Sequence, residues 1–184
     1  MKPEELDNSY RYLDADLDIA YEIFQKWDNL DLSERAVYMA MPNSIQPFAL
    51  THMAETRICN AGFSNIQWEA KHKHLSSDLS VAYNKIGALR ISDIFEEIDR
   101  LLTPFLNDIM SLDANEYDKY LSLLDEEGLS TALFQFQSEY FKLIETARVN
   151  RIFYLGKISS ETLIRDISIN VKNYLPEIRE LSSM

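Results

Sequence analysis

The sequence predicts an all-α protein, and three kinds of observation support this fold class. Apolar residues recur at helical spacing along most of the chain, and no stretch shows strand-like alternation or a hairpin turn. Each of the four glycines falls where a helical pattern ends, as expected for residues that close helices in a left-handed conformation. The 184 residues, 46% of them hydrophobic, are sufficient for one core. We therefore expect a single compact domain over residues 1–184 with about seven or eight helices.

The first predicted helix lies in the acidic N-terminal part of the chain. Apolar and aromatic residues recur on one face of it from Tyr10 to Trp27. The same periodicity places Asp14, Asp18 and Glu22 in a line on the opposite face, toward solvent. Like charges at this spacing destabilise a helix by a few tenths of a kcal/mol per pair, so the line is a candidate binding surface and not a stabilising feature.

Four further helical patterns each end at a glycine. A glycine just past a helix adopts a positive φ without steric cost, so all four glycines are predicted to be C-terminal caps. The predicted segments are residues 48–61 before Gly62, residues 78–86 before Gly87, residues 114–127 before Gly128 and residues 137–155 before Gly156.

Residues 91–109 form a strongly periodic helical segment. Pro104 is expected to bend or interrupt it, because proline lacks the N–H that continues the ladder. Asp93, Glu96 and Glu97 are predicted to face solvent. The opposite, core-facing stripe consists of Ile91, Ile94, Phe95, Ile98, Leu101, Leu102, Phe105 and Ile109.

The net charge of -12 is gathered into two blocks. Residues 1–34 hold ten acids and three bases, a net of -7, and residues 93–127 hold eleven acids and two bases, a net of -9. Residues 35–92, with three acids and six bases, have a net of +3, and residues 128–184, with six and seven, a net of +1. Solvated helix faces that keep the protein soluble are one explanation. A surface that attracts a basic partner is the other.

The sequence contains none of the familiar patterns of a catalytic or metal-binding site. His72 and His74 stand two apart between lysines, and on a helix their imidazoles would diverge, so a solvated loop is favoured over a zinc site. No nucleophile elbow, phosphate-binding glycine loop, H-E-x-x-H or C-x-x-C occurs. We therefore predict no enzymatic activity, no catalytic residues, no metal and no cofactor. Cys59 is predicted to be a small buried residue and not a reactive thiol.

Composition argues against binding to nucleic acid or to a membrane. The charge has the wrong sign for phosphates, and no apolar run approaches the roughly 18 to 20 residues that cross a bilayer. The acidic N-terminus lacks the apolar stretch of a signal peptide, which predicts a cytoplasmic protein. Six aromatic residues of the C-terminal third are predicted to be core and not a stacking surface: Phe134, Phe136, Tyr140, Phe141, Phe153 and Tyr154.

Two glycine turns resemble those of a known family. The sequence Asn60-Ala61-Gly62-Phe63 follows a helical pattern, and residues 82–88, which read AYNKIGA, come later in the chain. This resembles the bacterial family of small helical proteins named after DNA mimic protein 19, with its N-G-G-F turn and A-L-x-x-I-G-A helix end. The resemblance covers residues 35–106. It implies a structural role for Asn60, Gly62, Phe63, Ile86, Gly87 and Ala88.

The resemblance also implies an acidic protein, able to form a homodimer, that imitates DNA phosphates on the DNA-binding surface of a regulator. Helix geometry is compatible with such imitation, because carboxylates one helical turn apart lie about 5–6 Å from each other, comparable with neighbouring phosphates. The leading hypothesis is a non-enzymatic binding protein with a basic partner, such as a helix-turn-helix regulator. An immunity-type inhibitor of a basic toxin or nuclease is a close alternative, and a carboxylate-metal hydrolase is the alternative of a different class.

Overall fold

The computed structural model describes residues 38–39, 41–70, 75–113, 115–159, 162 and 166, and within these ranges all regular structure is helical. The all-α prediction is thereby confirmed for the described part of the chain. The first predicted helix, with Asp14, Asp18 and Glu22, lies outside it, as do His72 and His74. The helices are α1 (Gln46–Ala70), α2 (Leu75–Lys85), α3 (Leu89–Leu102), a 3₁₀ turn (Thr103–Phe105), α4 (Leu106–Ser111), α5 (Tyr117–Glu126) and α6 (Leu129–Gly156). These six α-helices are fewer than the seven or eight predicted for the whole chain.

The long helix α6 packs against three others. It contacts α1, α3 and α5. Helix α2, which lies between α1 and α3 in the sequence, contacts both of them. One continuous core of apolar residues runs through these contacts.

Four aromatic rings from four helices form the centre of this core. Tyr83 of α2 stacks on Phe95 of α3 with ring centroids 5.3 Å apart, and Phe63 of α1 lies 5.5 Å from Tyr140 of α6. The two tyrosine hydroxyls are 2.9 Å apart, and the Tyr83 hydroxyl also donates to the Thr51 carbonyl at 3.3 Å. Tyr140 then donates to Tyr83, which satisfies both buried hydroxyls. Burial raises the pKa of both tyrosines far above the usual value, so both stay neutral.

The segment at residues 91–109 follows the sequence prediction closely. Helix α3 ends at Leu102, and Pro104 lies in the 3₁₀ turn that separates it from α4. Six residues of the predicted stripe are buried, and Leu101 and Phe105 are half-buried. The interruption at proline is therefore confirmed, together with the side of the helix that enters the core.

A positive φ is confirmed at three of the four glycines, but Gly62 lies at a kink inside α1 and does not end it. Gly62, Gly87 and Gly128 have φ angles of 78°, 86° and 70°. Gly156 is instead the last helical residue of α6 and has no positive φ. Helix α6 also begins at Leu129, well before the predicted residue 137, because the left-handed Gly128 is the only break between α5 and α6.

Candidate functional site

The turn at Gly62 kinks α1 and directs Phe63 into the core. Gly62 has φ 78° and ψ 176°, a combination that is accessible essentially only to glycine. The kink interrupts the helical ladder, and the Phe63 N–H donates to Oε1 of Gln137 on α6 at 2.9 Å. Phe63 is buried, whereas Asn60 and Ala61 are exposed. The geometry thus gives this turn a structural role.

The second motif, Ile86 to Ala88, closes α2. The Ala88 N–H donates to the Tyr83 carbonyl and the Gly87 N–H to the Asn84 carbonyl, both at 2.9 Å. With Gly87 at positive φ, these two bonds make a Schellman cap. Ile86 and Ala88 are buried on either side of it. These three residues therefore join α2 to α3 with a tight, satisfied turn.

A shallow apolar groove lies where this cap meets α6. Its volume is about 200 Å³, and its rim includes Leu89, which is 57% exposed. A Cβ added at Gly87 would meet nothing within 4 Å, so the groove is open at that point. The residues that line it are Gly87, Ala88, Leu89, Arg90, Ile91, Leu143, Thr146, Ala147 and Asn150.

The acidic block at residues 93–127 faces solvent. Of its eleven carboxylates, nine are exposed, and Asp99 and Glu116 are half-buried. Asp93, Glu96 and Glu97 on α3 are all exposed, so their predicted outward orientation is correct. Their role in binding a partner stays a prediction. No three of the described His, Cys, Asp and Glu residues lie close enough together to hold a metal ion.

The α3 carboxylates have neighbours within the protein. Arg90 lies 3.8 Å from Asp93, and Arg100 donates to Glu97 at 2.6 Å. These pairs are exposed, so each contributes at most about 1 kcal/mol. The charges are consequently available for exchange with a basic ligand.

Glu96 is held differently from the other two. The Ser80 hydroxyl of α2 donates to its Oε1 at 3.1 Å, and Ser80 also lies 3.0 Å from the hydroxyl of buried Ser92. Ser92 donates in turn to the Ser80 carbonyl at 2.9 Å. This polar chain links α2 to α3 beneath the acidic surface and fixes the position of the Glu96 side chain.

A buried ionic cluster between α1 and α6 was missed by the sequence analysis. Arg151, which is 1% exposed, donates to Glu55 Oε2 at 2.6 Å, and Arg148 donates to Glu55 Oε1 at 2.7 Å. Burial by itself raises the pKa of Glu55, but the attraction of Arg151 and the hydrogen bonds from both arginines outweigh it and hold that pKa below its usual range. The cluster locks the two helices together.

His52 lies half-buried beside this cluster and stacks on Phe48, with ring centroids 6.0 Å apart. Burial, followed by the nearby Arg151 guanidinium, lowers the pKa of His52 from 6.5 to about 4. At a pH between these two pKa values, His52 binds a proton in the unfolded chain but not in the folded protein. The stability of the fold therefore decreases as the pH falls from 6.5 toward about 4.

Replacing His52 with asparagine should remove this part of the pH dependence. Over the interval between the two pKa values, the wild-type protein is expected to lose up to about 1.4 kcal/mol per pH unit more than the variant. Urea unfolding of both proteins at several pH values measures the difference. If the stabilities of the two proteins changed in parallel with pH, His52 would have the same pKa in the folded and the unfolded state.

Two sequence predictions about buried side chains are wrong. Phe134, Phe141 and Phe153 are 69%, 41% and 63% exposed, because α6 has apolar residues around its whole circumference and its neighbours cover one side. Tyr140 is buried as predicted, and Phe136 and Tyr154 are half-buried. Cys59 is exposed and not buried. Residual desolvation and the Glu55 carboxylate raise the pKa of its thiol, so the thiol is not activated.

Comparisons with known proteins give no relative. No family model, no curated protein and no solved structure matches the chain. Among the described helices, none is long and apolar enough to cross a membrane. The acidic surface of α3, α4 and α5 is the described feature with the clearest chemical character.

Proposed function

We propose that this protein is a non-enzymatic, cytoplasmic binding protein whose acidic surface competes with DNA for a basic protein, a helix-turn-helix regulator. The surface comprises the carboxylates of residues 93–127 and, from the sequence pattern, Asp14, Asp18 and Glu22. The protein binds neither nucleic acid nor a membrane directly. The observation that supports the proposal is that nine of the eleven carboxylates of residues 93–127 are exposed and none is fully buried.

The arrangement suits a partner that normally neutralises phosphates. Asp93 and Glu97 are one helical turn apart on a regular helix, so their side chains start about 5–6 Å from each other. Lysines and arginines of a DNA-binding surface meet a similar row of negative charges along a DNA strand. Such an association is fast and weakens steeply with salt.

A basic partner would compete with the arginines that already pair with carboxylates of α3. A basic partner must replace Arg100 at Glu97 and Arg90 at Asp93. Breaking each of these exposed ion pairs costs at most about 1 kcal/mol. Removing Arg100 would leave Glu97 fully available to the partner. A loss of charge at Glu97 and a loss at Arg100 should therefore have opposite effects on binding.

The test is capture of partners from the native host lysate at low salt on immobilised protein, with mass spectrometry of the retained proteins. Wild-type protein is expected to retain a DNA-binding protein that duplex DNA then elutes. The triple variant Asp93→Asn, Glu96→Gln, Glu97→Gln should retain at least about tenfold less of it, because three charge contacts are lost while shape is preserved.

The single variants Glu97→Gln and Arg100→Gln provide a matched pair, because each breaks the same exposed ion pair. Glu97→Gln should weaken retention, and Arg100→Gln should strengthen it. Equal effects of the same sign would mean that the ion pair matters only for the structure of α3. Retention of a basic nuclease or toxin in place of a DNA-binding regulator would favour the immunity-type inhibitor.

A further inference from the structure

The first turn of α3 contains an arginine that lies between carboxylates of two helices. Arg90 is the second residue of α3, at the end where the helix dipole disfavours a positive charge. Its Nη2 donates to Oε1 of Glu139 on α6 at 3.0 Å, whereas its Nη1 lies 3.8 Å from Oδ2 of Asp93. The second distance is too long for a hydrogen bond. The guanidinium is therefore hydrogen-bonded to Glu139 and only near Asp93.

The arginine at the other end of this acidic face is bound differently. Both Nε and Nη2 of Arg100 donate to Oε2 of Glu97, at 3.0 and 2.6 Å. Two charge-assisted hydrogen bonds thus occupy the Glu97 carboxylate. Asp93 keeps more of its charge for an incoming cation, because the arginine beside it is hydrogen-bonded to another helix. Glu139 itself lies outside residues 93–127 and outside the binding residues predicted from the sequence.

We propose that Glu139 is a positioning residue for the acidic surface, which holds Arg90 away from Asp93 and keeps the Asp93 carboxylate open to a basic partner. The inference rests on the proposed function, because it concerns access to the same carboxylates. Without Glu139, Asp93 is the remaining described carboxylate within 4 Å of Arg90. A small rotation of the arginine side chain then brings the two groups into hydrogen-bond distance, and the pair presents little net charge to a partner.

The exposure of these three side chains allows one substitution to redirect the arginine. The side chains of Arg90, Asp93 and Glu139 are 73%, 61% and 42% exposed. Exposed ion pairs differ little in free energy, so the carboxylate that binds Arg90 is decided by small differences. For the same reason, substitutions at Arg90 and Glu139 should leave the core and the fold intact.

The experiment is a double-mutant cycle on the full chain, with an oligolysine peptide as the basic probe and calorimetry as the measure of binding. Glu139→Gln should raise the Kd for the peptide about two- to fivefold, because Arg90 then pairs with Asp93. Arg90→Gln and the double variant Arg90→Gln, Glu139→Gln should have equal Kd values, no higher than that of wild type. This rescue is specific, because a purely structural role of Glu139 would not depend on Arg90.

Glu145→Gln is the matched control. It removes the same charge from another exposed carboxylate of α6 that pairs with an arginine, but this arginine, Arg148, is bound to Glu55 of α1 and not to α3. The Kd for oligolysine should stay nearly unchanged at about 0.1 M salt, where distant charges are largely screened. Denaturant unfolding should confirm that all variants are folded.

A Glu139→Gln protein that binds oligolysine like wild type would overturn the inference. An equal loss of affinity with and without Arg90 would also overturn it, because Glu139 would then act through its own charge. The triple variant Asp93→Asn, Glu96→Gln, Glu97→Gln distinguishes these failures from a failure of the proposed function. If the triple variant binds oligolysine more weakly than wild type, the acidic surface remains a binding surface whatever the result for Glu139. If it binds like wild type, both proposals fail.

Discussion

Replacing Glu55 with glutamine is expected to destabilise the protein by about 3–5 kcal/mol, because it removes the carboxylate charge that Arg148 and the buried Arg151 share. Arg151 is 1% exposed and lies 2.6 Å from Glu55. Glutamine has nearly the shape of glutamate, so the effect reports charge and not a cavity. Denaturant unfolding monitored by circular dichroism at neutral pH measures it.

Glu145→Gln is the matched control, because it makes the same chemical change in another carboxylate bound to Arg148. Glu145 is 73% exposed, and its pair should contribute at most about 1 kcal/mol. Glu55 titrates below its usual pKa in the folded protein, so its contribution is present above about pH 4.5 and lost as the pH falls further. Equal costs for the two substitutions would show that burial gives Glu55 no special role.

Gly62→Ala is expected to destabilise the protein by about 2–4 kcal/mol. Backbone strain of an alanine at this φ and ψ costs about 1–3 kcal/mol. The new Cβ would also lie 2.7 Å from Oε1 of Gln137, so the Gln137 side chain must move and its hydrogen bond from Phe63 N–H is lost. That bond is worth about 1 kcal/mol. Denaturant unfolding again measures the change.

The variant Gly87→Ala separates the cost of backbone strain from the cost of the displaced Gln137 side chain. Gly87 also has a positive φ, of 86°, but a Cβ there meets nothing within 4 Å. Its substitution should cost only about 1 kcal/mol, from the left-handed conformation. If Gly62→Ala cost no more than Gly87→Ala, the contact between α1 and Gln137 would have no energetic importance.

Local signals in the sequence were sufficient for part of this fold. In residues 91–109 the apolar stripe predicts the helix and Pro104 predicts its interruption. Both effects depend only on residues that are close together in the chain. The positive φ at Gly62 was predictable for the same reason. Its partner Gln137, 74 residues away on another helix, was not, because periodicity says nothing about which helices meet.

Burial in α6 and in the ionic cluster was not predictable for a related reason. Apolar residues surround α6, so its pattern does not show which side its neighbours cover, and Phe134 and Phe153 were wrongly assigned to the core. Glu55 and Arg151 are charged residues in helical patterns, which usually lie at the surface. Their burial depends on the meeting of α1 and α6. The outward direction of Asp93, Glu96 and Glu97, by contrast, follows from the period of one helix.

Under the proposed function, the acidic surface and DNA compete for one site on the partner. The most direct measurement is the affinity of the captured partner for its DNA duplex, by fluorescence anisotropy, at increasing concentrations of this protein. We expect the apparent Kd for the duplex to rise in proportion to the added protein, and to rise much less with the Asp93→Asn, Glu96→Gln, Glu97→Gln variant. A partner that binds this protein and the duplex together, with unchanged Kd for DNA, would contradict the claim.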